Sequence, residues 1–220
     1  MHALTAAADA PLTLRLGGSL GDTIQYNTSE TAFSTCPPFS VTNATRLGYA
    51  LKGPCLQLER WQALAGFCQA PRCRIAMGIN GLAGRRLASP CALSTDCRHA
   101  LVPPSCCTGF AGAWDPANAL ALFRGMRDTN TTPFALEFGN ELSGIGGVET
   151  SIPVRDYAAD VERFAASIAS VWPAPAARPK IVAYDSMLDV IYMVQLLKAA
   201  PSIDILTTHS YELGPGRNIA

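Results

Sequence analysis

Two carboxylates stand four residues apart in the stretch Phe134-Ala135-Leu136-Glu137-Phe138-Gly139-Asn140-Glu141-Leu142, and an asparagine precedes the second. Carboxyl groups held at fixed positions are the usual instruments of general acid–base chemistry. An asparagine amide both donates and accepts hydrogen bonds, which suits a sugar hydroxyl. Phe134, Leu136 and Phe138 alternate with Ala135, Glu137 and Gly139, so the stretch is predicted to be a buried strand. Its small face carries Glu137 and, by parity, Glu141. An inward carboxylate is costly unless it is paired or has chemical work to do. Glu141 therefore reads in two ways. It caps or salt-bridges a strand end, or it is an acid/base group at the C-terminal tip of a parallel strand, where barrel enzymes keep their catalytic residues.

Other polar groups recur at strand tips. Leu12, Leu14 and Leu16 alternate with Thr13, Arg15 and Gly17, giving a strand whose polar side carries Arg15, placed to pair with a carboxylate such as Glu137. Residues 74–80 alternate again and end on Asn80. In the stretch Ile203-Asp204-Ile205-Leu206-Thr207-Thr208-His209-Ser210-Tyr211, His209 and Tyr211 share parity and face one side.

The elements that must position these groups follow from hydrophobic period. Leu58, Trp61, Leu64 and Phe67-Cys68 follow a helical spacing. Asp115-Pro116 reads as an N-cap followed by the first helical residue, opening a helix to about Asp128. Tyr157, Val161, Phe164, Ile168 and Val171 mark a long amphipathic helix, and Met187, Ile191, Val194 and Leu197 another. Residues 181–185 form a strand between them. Five strands alternating with at least four helices predict an α/β fold with a parallel sheet and right-handed crossovers. An open doubly wound sheet and a barrel both fit; polar groups at successive strand ends favour the barrel. Residues 21 to about 55 read as loop, and about 81–113 as a cysteine-rich insertion without period.

The chain has 220 residues, somewhat short of the about 250 of a complete (β/α)8 barrel. Its formal net charge is zero, which argues against nucleic acid as a partner. No apolar run reaches the about 18 residues of a membrane span, and residues 1–10 lack the features of a signal peptide. Eight cysteines and sequons at Asn27, Asn43 and Asn130 suit disulfides and glycans in an oxidising compartment, with free thiols as the alternative. Cys91, Cys97, His99, Cys106 and Cys107 lack a familiar zinc spacing. Residues 17–21 lack the dinucleotide fingerprint, and residues 144–147 lack the ending of a phosphate loop. No cofactor and no metal are expected.

Four blocks, occurring in order, then carry a resemblance: Leu14-Arg15-Leu16-Gly17-Gly18-Ser19-Leu20-Gly21-Asp22, Gly112-Ala113-Trp114-Asp115-Pro116-Ala117-Asn118-Ala119-Leu120, Gly139-Asn140-Glu141-Leu142-Ser143-Gly144 and His209-Ser210-Tyr211-Glu212-Leu213-Gly214-Pro215-Gly216. Together they resemble the heparanase-like glycoside hydrolases of plant type, glycoside hydrolase family 79. The resemblance implies a (β/α)8 TIM-type barrel with a small β-domain, cleaving β-linked glucuronic acid with retention. It implies Glu141 as general acid/base at the tip of strand four and Asn140 as a substrate contact; the strand-tip positions of Asn80, Arg15, His209 and Tyr211 make them further binding candidates.

The family's nucleophile lies at the tip of strand seven, whereas this chain matches strands two to six; Glu149 and Glu212 do not fill that role. Thr208 stands where the family often has a first of two histidines. The expectation is a partial catalytic barrel over residues 1–220, inactive alone, and drawn from a protein that is secreted, lysosomal or vacuolar, or associated peripherally with a membrane or the cell wall. Its partner would be a glucuronic-acid-containing glycan. The rival readings are a secreted, non-catalytic carbohydrate-binding relative and a flavodoxin-like binding module.

Overall fold

The computed structural model describes residues 11–33, 36, 54–69, 73–87, 110–143 and 150–210. Its framework is a parallel sheet of five strands: β1 (Thr13–Leu16), β4 (Arg74–Ile79), β7 (Ala135–Phe138), β8 (Lys180–Met187) and β9 (Ile205–His209). Two short pairs lie outside it. β2 (Gln25–Asn27) runs parallel to β3 (Cys55–Gln57), and β5 (Arg86–Leu87) antiparallel to β6 (Phe110–Ala111). The helices are α1 (Leu58–Gln69), α2 (Ala117–Asp128), α3 (Val154–Val171) and α4 (Val190–Ala199).

All five expected strands are present, and their order in the sheet is their order in the chain. A doubly wound sheet reverses its strand order at a switch point, and this one does not. The fold is a curled parallel half-barrel with helices in the crossovers, an incomplete α/β barrel. The flavodoxin-like alternative fails on the same observation.

The core lies between the sheet and α1, α2 and α3. Phe138 stands at its centre, its ring 5.2 Å from Trp114 edge-on, 5.2 Å from Phe164 and 5.5 Å from Tyr157. The stripe expected on α3 is the one buried: Tyr157, Val161, Phe164, Ile168 and Val171. On α1 the buried positions are Trp61, Ala65 and Cys68, while Phe67 is exposed. The helix of residues 117–128 begins as Asp115-Pro116 foretold, one residue later: Asp115 Oδ1 accepts the Ala117 N–H at 2.9 Å.

One expectation needs correction, and one helix face is not set by its period. Residues 21–55 are not all loop. β2 pairs with β3, and Asn118 of α2 completes β2 by donating to the Tyr26 carbonyl at 2.8 Å and accepting its N–H at 2.7 Å. Three-residue strands carry too little period to be seen in sequence. The stripe Ile191, Val194 and Leu197 of α4 faces outward, at 73%, 45% and 48% exposure, and Leu196 is the residue buried in the core. The helix is apolar on both sides, so its period offers two stripes and does not choose between them.

Disulfides join Cys36 to Cys55 and Cys68 to Cys73. Cys91, Cys97, His99, Cys106 and Cys107 lie outside the described residues, as do Asn43, residues 144–149 and Tyr211. The 81–113 insertion is described at its two ends, which meet as β5 and β6. Among the described residues no helix is long and apolar enough to cross a membrane.

Candidate active site

The sheet brings an arginine, a histidine and four carboxylates to its C-terminal end. Arg15, on β1, donates from Nε to Glu137 Oε2 at 2.8 Å and from Nη2 to Asn140 Oδ1 at 3.0 Å, and it forms an ion pair with Asp185. Glycine at position 17 makes room for this. A Cβ there would stand 3.0 Å from Arg15 Nη2 and 3.1 Å from Glu137 Oε2.

Glu141 does not belong to β7. The strand ends at Phe138, and Gly139 and Glu141 both adopt left-handed backbone, with φ of 70° and 55°. The turn is held from three sides. The Gly139 N–H reaches the Ile79 carbonyl at 3.0 Å, the Asn140 N–H reaches Asp22 Oδ2 at 2.9 Å, and the Glu141 N–H reaches the Asp185 carbonyl at 2.9 Å. A left-handed glutamate is unfavourable, and such residues persist where surrounding contacts over-determine them, often at functional sites. The turn delivers Glu141 to His209, the last residue of β9, with Oε1 and Nδ1 2.6 Å apart.

Of the residues expected at the site, Arg15, Asn140, Glu141 and His209 converge. Asn80 does not join them. Its Oδ1 accepts the Leu82 N–H at 2.9 Å, its Nδ2 donates to the Ile24 carbonyl at 3.1 Å, and its own carbonyl accepts from Trp114 Nε1 at 2.8 Å. Asn80 fastens the turn after β4 and has no amide end turned to the cluster. Tyr211 lies outside the described residues.

Asp185 and Asp22 complete the cluster, and sequence reasoning named neither as a site residue. Strand parity would put Asp185 with Ile181 and Ala183, which pack into the core. A bulge between Tyr184 and Ser186, with Tyr184 at φ 81° and Asp185 at φ 40°, turns it to the other face. Bulges of this kind re-aim side chains beside active sites. Only the position of an acidic residue near a strand end signals it in sequence. Asp22 follows β1 in a short 3-10 turn and accepts the N–H groups of Gly81 at 3.1 Å and Asn140 at 2.9 Å.

Burial dominates the electrostatics. It pushes the Asp22 carboxyl up to about 8 against the two N–H donors that favour its charge. Burial, then the neighbouring charge of Asp185, pushes Glu137 up to about 7, with Arg15 opposing. Burial works against a charged His209, yet the hydrogen bond to Glu141 and the Asp185 charge outweigh it, so His209 holds its proton more tightly than an ordinary histidine. Two carboxylates raised while others share a cation and an imidazole form an arrangement suited to proton transfer.

A cavity of about 570 Å³ opens at the opposite end of the sheet, beside Glu162, Arg178, Lys180 and Asp204. Its charges are engaged. Glu162 accepts from Ser202, Lys180 pairs with Asp204 at 2.9 Å, and Arg178 donates to backbone carbonyls. Nothing in it resembles a reacting centre.

Comparison with known proteins bears on the family and the fold. The family model "Glycosyl hydrolase family 79, N-terminal domain" matches residues 1–220. "Heparanase-like protein 3" of Arabidopsis thaliana is 30% identical over 95% of this chain and 35% of its own length. "Baicalin-beta-D-glucuronidase" of Scutellaria baicalensis is 26% identical over 94% of this chain and 38% of its own length. The chain thus spans little more than a third of these relatives. A solved structure described as "A Glycoside Hydrolase Family 20 beta-N-Acetylglucosaminidase" superposes on 98% of this chain and 51% of its own, with a TM-score of 0.51 at 13% identity. At that identity the likeness concerns the fold alone.

Proposed function

Because the chain belongs to glycosyl hydrolase family 79, we propose that it is the acid/base-bearing part of a retaining hydrolase acting on β-linked glucuronic acid in polysaccharides or glycoproteins. The observation that carries this reading is the Asn140-Glu141 turn at the tip of β7, held against Arg15 and His209. Glu141 protonates the leaving glycosidic oxygen and then deprotonates water. Asn140 has its Oδ1 fixed by Arg15, so its NH2 end is the one that can donate to a sugar hydroxyl. His209, at the same end of the sheet, is a further substrate contact, and Tyr211 is retained as a candidate from the sequence alone.

Retention needs a second carboxylate about 5 Å from the first. Glu137 and Asp185 are close by, but their side chains are 3% and 2% exposed and both are held by Arg15. Neither presents an oxygen to a substrate. The nucleophile is expected on strand seven, as the resemblance implies, and the 220-residue chain alone is expected to be inactive. The same observation supports a second reading, a non-catalytic carbohydrate-binding relative. The zero net charge favours a weakly charged glycan over heparan sulfate. The two disulfides and the exposed sequon residue Asn130 support a secretory or vacuolar route, with the glycan on the side away from the site.

The test pairs an aryl β-glucuronide with the matching β-glucoside. The 220-residue chain should bind the glucuronide in preference, and Asn140→Ala should weaken binding about tenfold or more, the worth of a hydrogen bond at a charged site. No aglycone should be released above background. Equal binding of both glycosides overturns the glucuronide reading. Turnover that Glu141→Gln abolishes would show that one of the described carboxylates is the nucleophile.

A further inference from the structure

The imidazole of His209 stands between two carboxylates from two other elements. Nδ1 lies 2.6 Å from Glu141 Oε1, and Nε2 lies 2.8 Å from Asp185 Oδ1. Asp185 holds both of its neighbours in line. Its side chain meets the ring, and its carbonyl accepts the Glu141 N–H at 2.9 Å. Its other carboxylate oxygen meets Arg15, and its place depends on the bulge in β8.

A ring between two carboxylates has three arrangements that leave no like groups facing each other. The one with a protonated Asp185 donating to Nε2 is opposed by the ion pair of Asp185 with Arg15, which leaves two. In one, the imidazolium donates from both nitrogens. In the other, a neutral ring keeps the Nε2 proton on Asp185 and accepts at Nδ1 from the protonated Glu141 carboxyl. The two differ only in where one proton sits, and Asp185 accepts in both.

We propose that Asp185 is a positioning residue that locks the His209 proton on Nε2, and that His209 is the proton store of Glu141. The step is a single transfer. The Nδ1–H bond breaks, the Oε1–H bond forms, and the net charge of the pair is unchanged. Reversal returns to Nδ1 the proton that Glu141 later takes from water. The acid form of Glu141 can thus be reached inside the cluster without a solvent proton. Among the described residues, the groups facing the ring include Glu141 from the turn after β7 and Asp185 from β8, with Thr207 of β9 on the same Asp185 oxygen at 3.4 Å. Arg15 of β1 and Glu137 of β7 stand behind Asp185. The firmer hold of His209 on its proton keeps the store filled.

The proposal rests on Glu141 being the acid/base, but its test needs no substrate. The chain has three histidines, so 15N labelling of histidine gives an assignable set of ring signals. In the native chain, Nε2 of His209 should stay protonated through the whole titration while Nδ1 alone loses its proton. Glu141→Gln should lower the His209 midpoint by about one pH unit or more, the usual effect of removing an adjacent opposite charge. Asp185→Asn is compatible with the φ of 40° at that position, and it should mix the two neutral tautomers. An Nε2 that is unprotonated in the neutral ring overturns the relay, and the native chain alone decides that if a variant does not fold. A midpoint unmoved by both substitutions overturns it as well. Failure to bind a glucuronide strikes the functional reading and leaves these signals where they are.

Discussion

Asp22 carries its carboxyl group to a place only 1% exposed and joins the turns after β4 and β7 through the N–H groups of Gly81 and Asn140. The location has a consequence for stability. In the unfolded chain a carboxyl titrates near its ordinary value, about 4. In the folded chain Asp22 titrates at about 8 and Glu137 at about 7. Between these limits the folded state holds protons that the unfolded state has released, so stability falls as pH rises. His209, which also holds its proton more tightly when folded, adds in the same direction. Asp204 has the opposite sign, but it lies on the surface and its contribution is lost only at lower pH. The melting temperature followed by circular dichroism should therefore be higher at pH 5 than at pH 8, and Asp22→Asn should flatten the slope. A melting temperature that rises over this interval would mean that Asp22 and Glu137 are not buried as acids.

Among the elements, the strands were legible and one helix face was not. A two-residue period over residues 12–17, 74–79 and 134–138 has one buried solution, and the structure adopts it. The period also placed Glu137 and Arg15 on a common face, where they pair at 2.8 Å. It brought Glu141 to the site by the wrong route, since the strand ends at Phe138 and a left-handed turn does the rest. It missed Asp185 because a bulge reverses parity, and a bulge has no signature in a pattern of apolar residues. On α4 the periodic stripe Ile191, Val194 and Leu197 faces outward, and the period does not say which of the two faces is buried. Burial separates the two by mutation. Leu196→Ala, at a fully buried position, should cost about 2–5 kcal/mol in denaturant unfolding. Ile191→Ala, at 73% exposure, should stay within about 0.5 kcal/mol of the native chain. Equal costs would place both stripes in contact with something.

At the scale of the whole molecule, the site and the exposed apolar surface have one origin. The cluster draws on β1, β7, β8 and β9 and the turns between them, so it exists only when the sheet is assembled in order. The helix leading into the last of these strands presents Val190, Ile191, Val194 and Leu197 outward, and Leu188 just before its cap adds to them, at 45% to 73% exposure. Monomeric proteins seldom leave so many large apolar side chains together in water. The chain by itself should therefore self-associate. Sedimentation should show mass rising with concentration, and a dye specific for apolar surface should bind. Replacing Ile191 by Glu and Val194 by Lys puts opposite charges one helical turn apart on this face, where they can pair. The double variant should sediment as a monomer and lose dye binding, with its unfolding free energy within about 0.5 kcal/mol per exposed site of the native value. If the native chain is already monomeric, binds no dye and unfolds in one sharp step, the α4 face is a tolerated surface. The five-stranded sheet would then be a self-sufficient unit, and the non-catalytic carbohydrate-binding reading would gain over the hydrolase.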